Sequence, residues 1–133
     1  MRRLARTIVA LSAAAALVVP ALAEASTIEI PTSITANRKP TGAVEPGTSV
    51  HIYGKLSSPK ARCERNSTIK LIKVGKGVIR TTTTGRRGRY AFDIRVWNTA
   101  HYRVRFPGKT LKVVHPDTYV CAASRTSLRI LVR

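Results

Sequence analysis

The sequence predicts an all-β fold, an antiparallel β-sandwich of about seven strands, preceded by a helical signal peptide. Three observations carry that expectation. Beyond residue 26, no stretch keeps a helical period through three turns. Apolar and polar residues alternate instead, in runs rich in β-branched side chains. Turn residues punctuate those runs about every ten positions, the spacing of a sandwich or barrel. The 133 residues suit one domain rather than two.

The first segment reads as a targeting signal. Arg2, Arg3 and Arg6 form a positive stretch, and Ile8 to Val19 is an alanine-rich apolar run. That run matches a signal-peptide core and is short for a bilayer span. Pro20 breaks it, and small residues allow cleavage after Ala23 or after Ala25. The alternative is an uncleaved anchor. Neither cysteine lies near the cleavage site, which removes a lipoprotein route. The expected division is 1-23 signal peptide and 24-133 single domain, with no permanent membrane anchor and no sorting tail. Cleavage after Ala23 removes three arginines and none of the six carboxylates, so the formal charge falls from +18 to +15.

Seven strands are expected in the mature chain. Thr27 to Thr35 alternates through Ile28, Ile30 and Ile34, and Pro31 within it suits an edge strand. After turns at Lys39-Pro40-Thr41-Gly42 and Glu45-Pro46-Gly47-Thr48, Val50, Ile52, Gly54 and Leu56 share one face. His51, Tyr53 and Lys55 share the other. Ile69, Leu71 and Val74 mark a third strand, and Gly75-Lys76-Gly77 turns the chain into a fourth, Val78 to Thr84. Past Gly85-Arg86-Arg87-Gly88, Tyr90, Phe92, Ile94 and Val96 alternate with Arg89, Ala91, Asp93 and Arg95. Tyr102, Val104 and Phe106 make the sixth strand. Leu128, Ile130 and Val132, against Arg129 and Arg133, make the last. The intervening segment up to Ser124 is expected to be mostly loop.

Two cysteines in an exported chain read as one disulfide, Cys63 to Cys121. Free thiols or an intermolecular bridge are the alternatives. A closed loop of this length stabilises by about 4 kcal/mol on the chain-entropy account. That is a large share of the roughly 5–15 kcal/mol of a typical domain.

Three segments resemble known modules. Thr84-Gly85-Arg86-Arg87-Gly88-Arg89-Tyr90-Ala91-Phe92 resembles the T-D-x-x-G-x-Y-x-F segment of prealbumin-like and carboxypeptidase-regulatory-like β-sandwiches. Pro46 to Leu56 is similar to the P-G-x-x-V-x-V-x-G-x-L strand of bacterial Ig-like domains. Tyr102 to Gly108 is similar to a Y-R-v-x-F-x-G strand in exported actinobacterial examples. In those proteins a cysteine before the third strand often accompanies one before the last, the places of Cys63 and Cys121. The family usually has Asp where this chain has Gly85. The resemblance implies an Ig-like or prealbumin-like fold with binding, spacing or structural roles outside the cell, and it supplies no catalytic residues.

The residues themselves carry little chemistry. Glu24, Glu29, Glu45, Glu64, Asp93 and Asp117 are scattered one to a segment, whereas sugar hydrolysis needs a facing pair. His51, His101 and His115 lie on separate elements, without metal-ligand spacing. No nucleophile elbow or phosphate loop is present. An enzyme is therefore not expected, nor a metal, nor a cofactor.

Basic charge is the one positive signal. Lys70, Arg103, Arg105, Arg129 and Arg133 fall on the polar sides of three strands that are neighbours in an Ig-like sheet. Arg86, Arg87 and Arg89 add a cluster at a turn. Guanidinium groups take phosphates and carboxylates bidentately. The same charge also arises from arginine-rich composition alone, and both readings stand at this point.

The leading expectation is a secreted, monomeric binding or structural module held by acidic envelope polymers or a surface protein. No specific nucleic-acid partner is expected, because seven aromatics form no evident stacking platform. A carbohydrate-binding module is the alternative, with an exposed aromatic pair near Trp97 or Tyr53; a core or rim place for Trp97 competes with it. A basic antimicrobial protein is the third.

Overall fold

The structure is a computed structural model that describes residues 25–114 and 116–133. The expected signal peptide, Glu24 and His115 lie outside the described residues.

Alternation produces the central strands as expected. β4 (Thr48–Ser57) buries Val50, Ile52 and Leu56, and β7 (Arg89–Val96) buries Tyr90, Phe92, Ile94 and Val96. The two pair antiparallel, with Ile52 opposite Phe92. On the other side of β4 run β2 (Ser33–Ile34) and β3 (Asn37–Lys39). These strands form one layer. The facing layer is a four-stranded sheet. It has the order β11 (Ser124–Ile130), β8 (Ala100–Phe106), β5 (Thr68–Lys73), β6 (Gly77–Thr83). Its inner face contributes Ile69, Leu71, Tyr102, Val104, Phe106 and Ile130 to a single core. Ile52 and Leu71 are fully buried there. Truncating such a side chain to alanine costs roughly 2–5 kcal/mol.

Tyr90 locks the join between β2 and β3. Its hydroxyl donates to the Thr35 carbonyl. Gly54 makes that possible, because a Cβ there would stand 1.9 Å from the Thr35 oxygen and 2.6 Å from the Tyr90 hydroxyl.

Four expectations need correction. Eleven strands are present among the described residues, not about seven. The run Thr27 to Thr35 is two strands, β1 (Thr27–Ile30) and β2, in different ladders. Pro31 lies between them and has no N–H to offer either ladder. The segment expected to be loop contains β9 (Lys109–Val114) and β10 (Asp117–Cys121), an antiparallel pair. β1 joins β10 in parallel, so the pairing is not wholly antiparallel.

The disulfide forms as expected. Cys63, in the short helix α1 (Ala61–Glu64), bonds Cys121 at the end of β10, with 5.6 Å between their Cα atoms. Both cysteines are fully buried. In antibody domains the bridge joins the two sheets through the core. Here it fastens the β9–β10 ladder to α1. Lys109 reinforces that join, its ammonium donating to the Arg62 and Arg65 carbonyls at 3.0 Å each.

Candidate polyanion-binding face

The outward side of the four-stranded sheet concentrates positive charge. Arg105 on β8 stands opposite Lys70 on β5 and opposite Arg125 on β11. Neighbouring strands lie about 4.8 Å apart, so three cations share a row roughly 10 Å long. One step along, Arg103 stands between Ile72 and Ser127. A further step places Arg129 opposite His101. Like charges directly opposite one another destabilise a sheet. Nothing in the sheet relieves that repulsion, because β5, β6, β8 and β11 contain seven Lys and Arg residues and no Asp or Glu. The described carboxylates all lie elsewhere: Glu29 on β1, Glu45 in a turn, Glu64 on α1, Asp93 on β7 and Asp117 on β10.

A shallow concavity of about 460 Å³ opens over the row, lined by Ile72, Arg103, Arg105, Ser124 and Arg125. Arg105, Arg125 and Arg129 are exposed; Lys70 and Arg103 are half-buried. Guanidinium groups so placed hold their charged ends in water, available to a phosphate or carboxylate.

The expected cluster is therefore only partly assembled. Lys70, Arg103, Arg105 and Arg129 share the face. Arg133 does not, since β11 ends at Ile130 and the chain then turns to bridge Val132 with Val44. Arg89 lies on the opposite layer, paired with Lys55. Arg86 and Arg87 are exposed at the turn where the chain crosses between layers. Arg125 was missing from the expected set because the apolar signal for the last strand begins only at Leu128. The alternation that includes Thr126 places Arg125 outward all the same.

Elsewhere the polar groups are matched. A hydrogen bond joins His51 Nδ1 to an Asp93 carboxylate oxygen at 2.7 Å, across β4 and β7. Thr84 is buried; it accepts from the Ser67 N–H at 2.8 Å and donates to the Glu64 carbonyl at 2.5 Å. Burial, with a smaller contribution from the Arg65 charge, lowers the Lys109 ammonium below its ordinary value. No group of three His, Cys, Asp or Glu side chains suited to a metal occurs among the described residues. No helix among them is long and apolar enough to cross a membrane. Trp97 is 62% exposed, and its six-membered ring rests against Gly47. It is not part of an aromatic pair; the two pairs among the described residues are His51–Tyr53 and Tyr90–Phe92.

Neither the protein-family models nor the curated proteins contain a match to the chain. A solved structure, the crystal structure of CHIR-AB1, is similar in fold at 14% identity and a TM-score of 0.52. The likeness covers 76% of this chain and 98% of that one. At that identity it speaks for the architecture alone, and the architecture is an Ig-like β-sandwich.

Proposed function

We propose that this chain is an extracellular, non-catalytic binding module that captures acidic envelope polymers on the outer face of its four-stranded sheet. One observation carries the reading: Lys70, Arg105 and Arg125 stand in one row on three adjacent strands, on a sheet with no carboxylate. A row of like charges is a stability defect in the free protein and an asset once a polyanion covers it. The disulfide suits an oxidising compartment, and it supports an exported location. The protein acts as a monomer, with one face per molecule.

Retention on immobilised polyphosphate tests the reading. Exposed charges act over about 10 Å at 0.1 M salt and about 3 Å at 1 M. Retention should be strong at low salt and should collapse at high salt. Retention that ignores salt, or equal retention on a neutral polymer, would remove the proposal.

A further inference from the structure

A second cleft lies where the open edges of the two layers meet. β6 is the edge of one sheet and β7 the edge of the other, and the chain passes directly between them. The cleft has a volume of about 540 Å³, within the roughly 300–1,000 Å³ of small-ligand sites. Ile79, Ile94 and Tyr102 contribute apolar surface. Lys73, Lys76, Arg80 and Arg95 contribute charge, and Trp97 stands at the rim.

Two details make this more than a basic surface. The first is the state of its one acid. Asp93 lines the cleft, but its carboxylate is engaged by His51. The four cations have no carboxylate partner among the described residues. The second is the setting of Trp97. Gly47 has φ of +85°, and a Cβ there would come 3.0 Å from the indole ring. Glycine lets the turn approach one side of the six-membered ring closely, while the Trp97 residue stays 62% exposed. A solvent-facing indole at the rim of a basic cleft is a flat apolar platform for a ligand.

We infer that this cleft binds a saccharide bearing a carboxylate, with the sugar ring laid on Trp97 and its acid group held by Arg80 and Arg95. The axial C–H bonds of a pyranose match the negative face of an indole, and the carboxylate matches a guanidinium. A nucleotide has the same two needs, but a base is better held between two aromatic faces and Trp97 is alone. This inference rests on the acidic-polymer reading above for its ligand class, and it uses different residues.

The chain has a single tryptophan, so intrinsic fluorescence reports on Trp97 alone. Titration of the protein with oligogalacturonate should shift the emission saturably. Arg80→Ala with Arg95→Ala, which keeps the fluorophore, should weaken that titration at least tenfold. Arg105→Thr with Arg125→Thr should leave it unchanged while reducing polyphosphate retention, so the two sites can fail separately. In the Arg105→Thr, Arg125→Thr background, which weakens capture on the four-stranded sheet, Trp97→Ala should lower oligogalacturonate affinity measured by calorimetry at least tenfold, with an unchanged circular dichroism spectrum showing that the fold survives. An equal response to a neutral oligosaccharide, or a stronger one to oligothymidylate, would overturn the inference. So would no saturable response at millimolar ligand.

Discussion

Arg105 on β8 stands directly opposite Arg125 on β11, and neither strand carries an acid to neutralise them. Packing does not explain the pair, since both side chains are exposed. In the free protein their juxtaposition is a net repulsion, small in water but of fixed sign.

That repulsion makes a first prediction. Arg105→Thr should leave the fold intact and raise stability by a few tenths of a kcal/mol, about 0.3, because threonine favours strands and the like-charge contact disappears. Urea unfolding at low salt checks it. The gain should shrink as salt rises. A loss exceeding about 1 kcal/mol would mean that the guanidinium serves the fold.

The disulfide should matter more than any single surface residue. It closes a separation of 58 residues, and replacing both Cys63 and Cys121 by serine should cost about 4 kcal/mol. The damage should begin locally, with amide exchange rising first in β9 and β10, which the bridge fastens to α1. Stability within about 1 kcal/mol of the parent would contradict this account.

Gly54→Ala should be severe. The new Cβ would run into the Thr35 carbonyl on one side and the Tyr90 hydroxyl on the other. Neither can move freely, since Thr35 is backbone and Tyr90 is buried. A loss of at least about 2 kcal/mol is expected from thermal unfolding. Tyr90→Phe, which removes only the hydrogen bond, should cost about 1 kcal/mol.

Alkaline pH should unfold the protein through the same residue. Burial raises the Tyr90 hydroxyl well above its ordinary value, and burial raises Tyr102 as well. Above a pH of about 10, the unfolded chain releases phenolic protons that the folded chain retains. The contribution is complete below that pH and is lost as pH climbs toward the folded-state value. Tyr90→Phe should flatten the fall in stability between about pH 10 and 12, and an unchanged slope would contradict the assignment.

Strands with a strict two-residue period were readable from the sequence. β4, β7 and β8 alternate cleanly, and their partners across the core follow from it. The adjacency of β5, β8 and β11 was also legible, because an Ig-like sheet places those strands together. β9 and β10 were not. They pair locally, but their apolar residues do not alternate strictly: Val113 and Val114 are adjacent, and the register shifts between Tyr119 and Val120. Only the parallel pairing with β1, about 90 residues earlier, is a relationship that no sequence window contains. Of the basic face, Arg103 and Arg105 were plain from alternation. Arg125 was hidden by the polar start of β11, and Arg133 was assigned to a strand that ends three residues before it.

Charge position, rather than total charge, is the claim on which the functional reading turns. Two double variants separate them. Arg105→Thr with Arg125→Thr removes a cross-strand pair from the four-stranded sheet. Lys55→Thr with Arg89→Thr removes an equivalent cross-strand pair from the opposite layer. The net charge is the same in both. Polyphosphate affinity at low salt should fall at least tenfold in the first and less than twofold in the second. Equal losses would show that the arginines act only through the overall charge of the molecule.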